Sequence, residues 1–250
     1  MKKVLAVILA RGGSKAIYKK NIVLINKHPL IAYTIGEALK SSLVDRVVVS
    51  SEDDEIRSIA TQYGADASYK RPIRLAKDNT SSIDAIHHIV NFTEKKYKVN
   101  YDHVIELMCT NPLKNLKDIE EALKIQINSN AESTIAVMKL EDHHPIRIKK
   151  IINNRIVDFC LKEVPETRRQ DLKPDAYIRN GSIYCMRRDM VENKIRSCTK
   201  KSIPYIMPRE RTVNIDEPMD LQVAKVIMKK TKNNPKKLMT ASKAKKLINI

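Results

Sequence analysis

Val4-Leu5-Ala6-Val7-Ile8-Leu9-Ala10-Arg11-Gly12-Gly13-Ser14-Lys15, read on through Lys19-Lys20-Asn21, is the stretch that decides the fold. Its seven consecutive apolar residues predict a strand buried on both faces of a parallel sheet. The run stops at Arg11 and a glycine pair. Glycine permits turns that a Cβ would forbid and lets backbone N–H groups come close to an anion. Arg11, Lys15, Lys19 and Lys20 surround that turn with positive charge, as a polyphosphate would require. The plainer alternative is a strand running into an ordinary loop with solvated lysines. Neither G-x-x-x-x-G-K-[ST] nor G-x-G-x-x-G is present at this turn, so it is not a Walker or dinucleotide fingerprint.

Outward from this stretch, strand and helix patterns alternate. Ile22 to Ile25 reads as extended, and Pro29 suits the first position of a helix that buries Leu30, Ile31, Thr34, Ile35, Ala38 and Leu39. Arg46 to Ser50 predicts a second strand. Ser51-Glu52-Asp53-Asp54-Glu55 then supplies an acidic helix start, and Gly64 a stop. Ala65 to Tyr69 reads as a third short strand. After Arg71-Pro72 comes Leu75-Ala76-Lys77-Asp78-Asn79-Thr80-Ser81-Ser82, then a helix from about Ile83 to Lys96 that Thr80, Ser81 or Ser82 can cap.

His103 to Met108 reads as a strand ending in Cys109-Thr110-Asn111-Pro112-Leu113-Lys114. A helix follows with Leu116, Ile119, Leu123 and Ile127 on its buried face. Ser133 to Leu140 is the next strand. Lys149 to Ile152 and Arg155 to Leu161 flank an Asn pair and predict a hairpin, which fits a protruding arm better than a central sheet. Thr212 to Asp216 reads as an alternating strand, and Pro218 opens a helix through Lys229. The alternation predicts an α/β fold with a doubly wound, mostly parallel sheet and ligands beyond the strands' carboxyl ends. One domain over 1–230 is expected, with the arm inserted at about 141–175. A basic tail over 231–250, with a short helix from about Thr240, is given no chemistry.

Composition narrows the classes of function. The 250 residues carry a net charge of +18, and eight of the lysines lie from Lys229 onward, where there is no acidic residue. A basic surface suits nucleic acid, anionic membrane or anionic small substrates. With only eleven aromatics and no base-stacking platform, nucleic acid is disfavoured. Cys109, Cys160, Cys185 and Cys198 form no C-x-x-C pair, which argues against zinc or a disulfide framework and for a reducing compartment. The N-terminal apolar run has no small-residue cleavage site after it, so no signal peptide is read, and no apolar stretch reaches spanning length. A cytoplasmic protein is expected. His143 and His144 are adjacent, so on a strand they point to opposite faces, and no third metal ligand stands at suitable spacing.

Five segments in order resemble the motifs of the CMP-N-acetylneuraminic acid synthetase (acylneuraminate cytidylyltransferase) family. They are LARGGSK with KKN, RP with LA-x-D-x-x-S-S, the Met108–Lys114 loop, RRQD with NGS-x-Y over 168–171 and 180–184, and Asn214-Ile215-Asp216. A His-His-Pro stretch with a basic residue after it, at 143–147, is also similar. The resemblance spans about residues 4 to 225. It implies a Rossmann-like nucleotidyltransferase moving CMP from CTP to the anomeric hydroxyl of a sialic, legionaminic or pseudaminic acid, with release of pyrophosphate. Ala10, Arg11, Gly12, Gly13, Asn21, Arg71, Thr80 and Ser82 would bind the nucleotide. Arg11, Lys15, Lys20, Arg168 and Asp216 would act on the transferring phosphate. Met108, Arg147, Arg169, Gln170, Asn180 and Tyr184 would face the sugar.

Two positions depart from the family pattern in the third segment: Met108 stands for a glutamine and Asn111 for a serine. A thioether cannot replace an amide's hydrogen bonds. In the last segment the family's two aspartates become Asn214 and Asp216, which leaves one charged ligand for a magnesium ion. Asp220 reads as a helix-start residue. The resemblance also implies a homodimer, or a dimer of dimers, through the arm. Kdo or another alcohol acceptor is the enzymatic alternative, and a polyanion-binding protein the non-enzymatic one.

Overall fold

The computed structural model describes residues 2–162, 168–196, 198–230 and 235–248. β1 (Val4–Leu9) is buried up to a partly exposed Leu9 and lies inside a six-stranded sheet. Its side chains serve two cores: Val4, Ala6 and Ile8 pack on one face of the sheet, Leu5 and Val7 on the other. A strand apolar at every position is therefore required.

A 3-10 turn over Lys20–Ile22 follows, then a ribbon of β2 (Leu24–Ile25) and β3 (His28–Pro29). Pro29 remains extended as the cap of α1 (Leu30–Lys40), one position before the expected first turn. β4 (Arg46–Ser50) lies parallel to β1 with Val48 opposite Val7. α2 (Asp54–Gln62) starts at Asp53, whose carboxylate accepts the N–H groups of Glu55 and Ile56, and it ends before Gly64 at φ +97°. The strand expected over Ala65–Tyr69 does not form, and only the bridges Val48–Asp66 and Ser51–Lys70 tie it to the sheet. Arg57 takes the carbonyls of Ala67 and Ser68, each at 3.0 Å.

α3 (Ser82–Tyr97) leads to β5 (His103–Leu107), which is parallel to β1 on its other side. α4 (Leu116–Asn128) opens on a capping box between Asn115 and Asp118, and β6 (Ser133–Lys139) follows. β7 (Lys149–Ile152) and β8 (Arg155–Asp158) form the expected hairpin apart from the main sheet. Asn153 and Asn154 both adopt positive φ, as a two-residue hairpin turn requires.

β9 (Tyr177–Arg187) runs antiparallel to both β5 and β6 and fills the gap between them. After α5 (Arg188–Glu192), β10 (Ser202–Ile206) adds a parallel edge to β6. The strand order is β10-β6-β9-β5-β1-β4, mostly parallel as expected but with one reversed strand. Residues 212–216 are not a strand. Ile215 is buried there and its N–H donates to the Thr110 carbonyl at 2.8 Å, so the segment is fixed by a loop rather than a ladder.

α6 (Pro218–Met228) opens on a Glu217–Asp220 capping box, which accounts for Asp220. The C-terminal stretch does not trail away. Leu238 N–H donates to the Gln62 carbonyl at 2.7 Å, and α7 (Ala241–Ile248) buries Ala244 and Ile248. Arg57 holds the Ile248 carbonyl at 2.9 Å, which ties α7 to α2. No helix among the described residues is long and apolar enough to cross a membrane.

Candidate active site

β1, β4 and β5 run in parallel, so their carboxyl ends share one edge, and the loops that leave them enclose a cavity of about 400 Å³. Four segments far apart in sequence meet there. Arg11, Gly13, Lys20 and Asn21 come from the first, Arg71, Thr80 and Ser82 from the second, Met108 from the third, and Asn214 and Asp216 from the last.

The glycine turn is built by close approach. Gly12 N–H donates to Glu52 Oε1 at 2.7 Å, and a Cβ on Gly12 would lie 2.8 Å from Asp53 Oδ2. Ala10 is buried behind the turn with its N–H on the Ser50 carbonyl at 3.0 Å. Ala10 and Gly12 thus shape the turn, while Gly13 lines the space. Arg11 and Lys15 both reach Asp78, at 2.5 and 2.7 Å, and Lys15 with Arg11 holds that carboxyl below the usual carboxylate range. Lys19 points instead to α2, pairing with Glu55 at 2.5 Å and Asp53 at 3.3 Å.

Lys20 Nζ lies 2.9 Å from Asp216 Oδ1, and Asn214 Nδ2 donates to Asp216 Oδ2 at 2.5 Å. Asn214 Oδ1 is buried and has no hydrogen-bond partner. Asp220 accepts the Asp216 N–H at 3.0 Å, which fixes the backbone below this cluster. Asn21 faces inward: its amide donates to the Arg11 carbonyl at 2.8 Å, and its oxygen accepts the Cys109 thiol at 2.9 Å. Burial pushes Cys109 up to about 11, so it remains a packed thiol.

Arg71 is buried and anchored to Ser50, through Nε to Oγ at 2.9 Å and Nη2 to the carbonyl. Desolvation lowers its pKa from the ordinary guanidinium value. Ser81 stands at the cap position of α3 without a side-chain hydrogen bond, and Thr80 Oγ1 donates instead to the Arg74 carbonyl at 3.0 Å. The expected side-chain cap is therefore not made, and the start of α3 meets the cavity through Ser81 and Ser82.

A second cavity of about 380 Å³ adjoins the first through Asn214, which lines both. Asn180 and Tyr184 line it together with Arg179, Arg196, Thr212 and the apolar Met138 and Ile178. Asn180 is itself engaged, accepting the Ser182 N–H at 3.0 Å. Six predicted residues line neither cavity: Ala10 and Gly12, which shape the turn, Lys15, which is held on Asp78, and three more that stand apart from both. Arg147 is exposed at the end of a 3-10 turn, Arg168 is bound to Asp171 at 2.7 Å with its side chain 73% exposed, and Gln170 is exposed. The Arg169 side chain lies outside the described residues, as do residues 163–167. His144 hydrogen-bonds the Pro174 carbonyl at 2.8 Å and the Ile146 N–H, a structural role, and no metal-holding group of three or more His, Cys, Asp or Glu occurs among the described residues.

Sequence reading missed Glu106, which lines the first cavity, and Arg196, which lines the second. A carboxylate inside the apolar run His103–Leu107 was the available signal for Glu106; Arg196 had none. It also missed Lys114, fully buried beneath the loop after β5.

A family model described as cytidylyltransferase matches residues 5–232. Pseudaminic acid cytidylyltransferase of Campylobacter jejuni subsp. jejuni serotype O:23/36 is 34% identical over 230 residues, covering 91% of this chain and 97% of its own length. The CMP-N,N'-diacetyllegionaminic acid synthase of C. jejuni serotype O:2 is 30% identical, covering 94% of this chain and 99% of its own. Among solved structures, CMP:2-keto-3-deoxy-manno-octonic acid synthetase complexed with CTP superposes with a TM-score of 0.67 at 21% identity, over 91% of this chain and 99% of that one. With that family match over nearly the whole chain and relatives alike along their full length, the chain belongs to the cytidylyltransferase family, whose members are nucleotidyl-transferring enzymes.

Proposed function

We propose that the protein transfers CMP from CTP to the anomeric hydroxyl of an acidic 2-keto sugar of the pseudaminic, legionaminic or sialic acid type. The observation that supports this reading is the shared wall at Asn214, which puts a cation-rich cavity beside a second one of sugar-accepting size. In the reaction the anomeric oxygen loses its proton and bonds to the α-phosphorus, while the bond from that phosphorus to pyrophosphate breaks. Such transfer asks for positioning and charge neutralisation. Arg11, Lys15 and Lys20 would exchange their carboxylate partners for phosphate oxygens. Arg71, Thr80, Ser82 and the Asn21-braced turn would hold the nucleoside. Asn180 and Tyr184 would shape the sugar site.

The donor set suits magnesium. Asp216 offers an exposed carboxylate and Asn214 an unpartnered buried oxygen, both hard ligands of the kind that a Mg²⁺ ion supplements with phosphates and water. When bound, the ion would neutralise phosphate charge and acidify the attacking hydroxyl. Pyrophosphate release measured with CTP and a panel of acidic keto sugars tests the reading. Turnover with at least one of them and a clear preference for CTP over UTP and ATP is expected; release with none, or with another nucleotide preferred, would overturn it.

The protein is further proposed to act in the cytoplasm as a homodimer. An isolated two-stranded hairpin is marginal in water, yet β7–β8 presents Ile151 and Ile156 as a cross-strand pair, 74% and 75% exposed. A second copy of the arm would cover that pair and bring Arg147, Arg168, Arg169 and Gln170 toward the partner's sugar site. Ile151→Asp with Ile156→Asp should convert the dimer to monomer in sedimentation velocity and lower turnover at least tenfold. An unchanged sedimentation coefficient would remove the arm from the interface.

A further inference from the structure

Glu106 sits in the middle of β5, only 2% exposed, where an unpaired carboxylate would carry a heavy desolvation cost. Its partner is Arg196, with Nε 2.7 Å from Oε2. The guanidinium is held on two more sides. Its Cζ stands 4.0 Å from the centre of the Tyr184 ring, and Nη2 lies 3.7 Å from Met108 Sδ. Glu106 lines the first cavity and Arg196 the second, so one member of the pair faces each.

Most exposed arginines are mobile, and a ligand must pay for freezing them. Arg196 is already fixed by stacking and by a charged hydrogen bond, so its remaining donors are preorganised. It also supplies donors beside Met108, a side chain that has none. Glu106 balances its charge, so the pair as a whole attracts a directed hydrogen-bond acceptor more than it attracts net negative charge. A second carboxylate brought there would meet Glu106 as well as Arg196.

We propose that Arg196, fixed by Glu106 and Tyr184 at the junction of the two cavities, determines acceptor specificity by donating hydrogen bonds to a neutral oxygen, hydroxyl or carbonyl, of the sugar. The assignment rests on the cytidylyltransferase reading given above. Arg196→Met leaves Glu106 unpaired, so it is compared with the double variant Glu106→Leu with Arg196→Leu, in which a buried pair gives way to apolar groups of similar bulk. For both variants the KM for the acceptor sugar should rise roughly tenfold or more, the loss of a hydrogen bond from a charged donor, with the KM for CTP within about twofold. Arg196→Lys should not restore the acceptor KM, since an ammonium lacks the planar fork.

In equilibrium binding, without CTP, the sugar acid and its methyl ester should lose affinity by the same factor on removal of Arg196. An effect confined to the acid would overturn the neutral-oxygen assignment. A double variant with wild-type acceptor KM, or equal rises in both KM values with a fall in Tm, would reduce Arg196 to a structural role. A wild-type enzyme inert toward every acidic sugar while still binding CTP would overturn the underlying function instead.

Discussion

Asp216→Ala is expected to lower metal-dependent turnover by about a thousandfold or more and to leave the thermal midpoint within about 2 °C of wild type. The side chain is 64% exposed, so its removal opens no cavity. The backbone below it does not depend on that carboxylate, because Asp220 caps α6 and accepts the N–H groups of residues 216 and 217. What is lost is the anionic oxygen that faces Lys20 and, with Asn214, completes the hard-ligand set. Turnover followed as a function of magnesium concentration checks this. A variant that keeps more than a tenth of wild-type activity at saturating magnesium would exclude Asp216 from the site. A fall in activity that tracks a fall in Tm would mean the residue is structural.

Lys114→Met should cost about 2–5 kcal/mol of stability, read by denaturant unfolding. Lys114 is fully buried, and its ammonium donates to the carbonyls of Met108 and Asn111, at 2.6 and 2.5 Å, and to Thr34 Oγ1 at 3.0 Å. Methionine matches its bulk but, in the loop after β5, leaves the Asn111 carbonyl unpaired and the Met108 carbonyl with only the Asn111 N–H at 3.3 Å. That loop also carries Thr110, whose carbonyl receives the Ile215 N–H, so loosening it reaches Asn214 and Asp216. A rise in the KM for CTP is expected alongside the stability loss. A variant as stable as wild type would show that the loop finds other donors.

The same residue makes a pH-dependent contribution with a defined sign. Burial pushes Lys114 down to about 7 from 10.5, against the opposing charges of Asp118 and Glu37. Below pH 7 both folded and unfolded chains hold the proton, and the cost of the buried charge is present in full. Between about 7 and 10.5 the folded chain binds fewer protons than the unfolded one, so this group's contribution to stability rises with pH. The Cys109 thiol acts oppositely, but only above its ordinary value of 9.0. Stability measured from pH 7 to 8.5 should therefore climb in wild type relative to Lys114→Met, by at most about 1.4 kcal/mol per pH unit. A flat difference would show that the three acceptors keep the proton in place.

How much was legible varies by element. β1 was plain because a strand buried on both faces must be apolar throughout, and that pattern is local. The glycine turn was legible because a glycine pair closing an apolar run is a local signal, whereas only the fold shows that a Cβ on Gly12 would meet Asp53. The hairpin followed from its Asn pair. Over Ala65–Tyr69 the expected strand is reduced to isolated bridging, and Arg57, on the preceding helix, binds the carbonyls of Ala67 and Ser68 across the chain, a tertiary contact no local pattern shows. The stretch at 212–216 alternates like a strand, yet bonds from Ile215 N–H to the Thr110 carbonyl, from Thr212 N–H to the Arg209 carbonyl and from Asp216 N–H to Asp220 hold it as a loop.

The amino-acid order alone determined the alternating elements, the basic turn at the first strand's end and the late aspartate, because helix and strand periods and turn chemistry act over a few residues. Only the tertiary structure decided that β9 enters reversed between β5 and β6, that Glu106 finds Arg196, that Asp78 gathers Arg11 and Lys15, and that the last helix docks on α2. Each of those joins groups distant along the chain, and their energy comes from removing charge and apolar surface from water together. No local pattern encodes such a pairing; the packing of the whole sheet selects it.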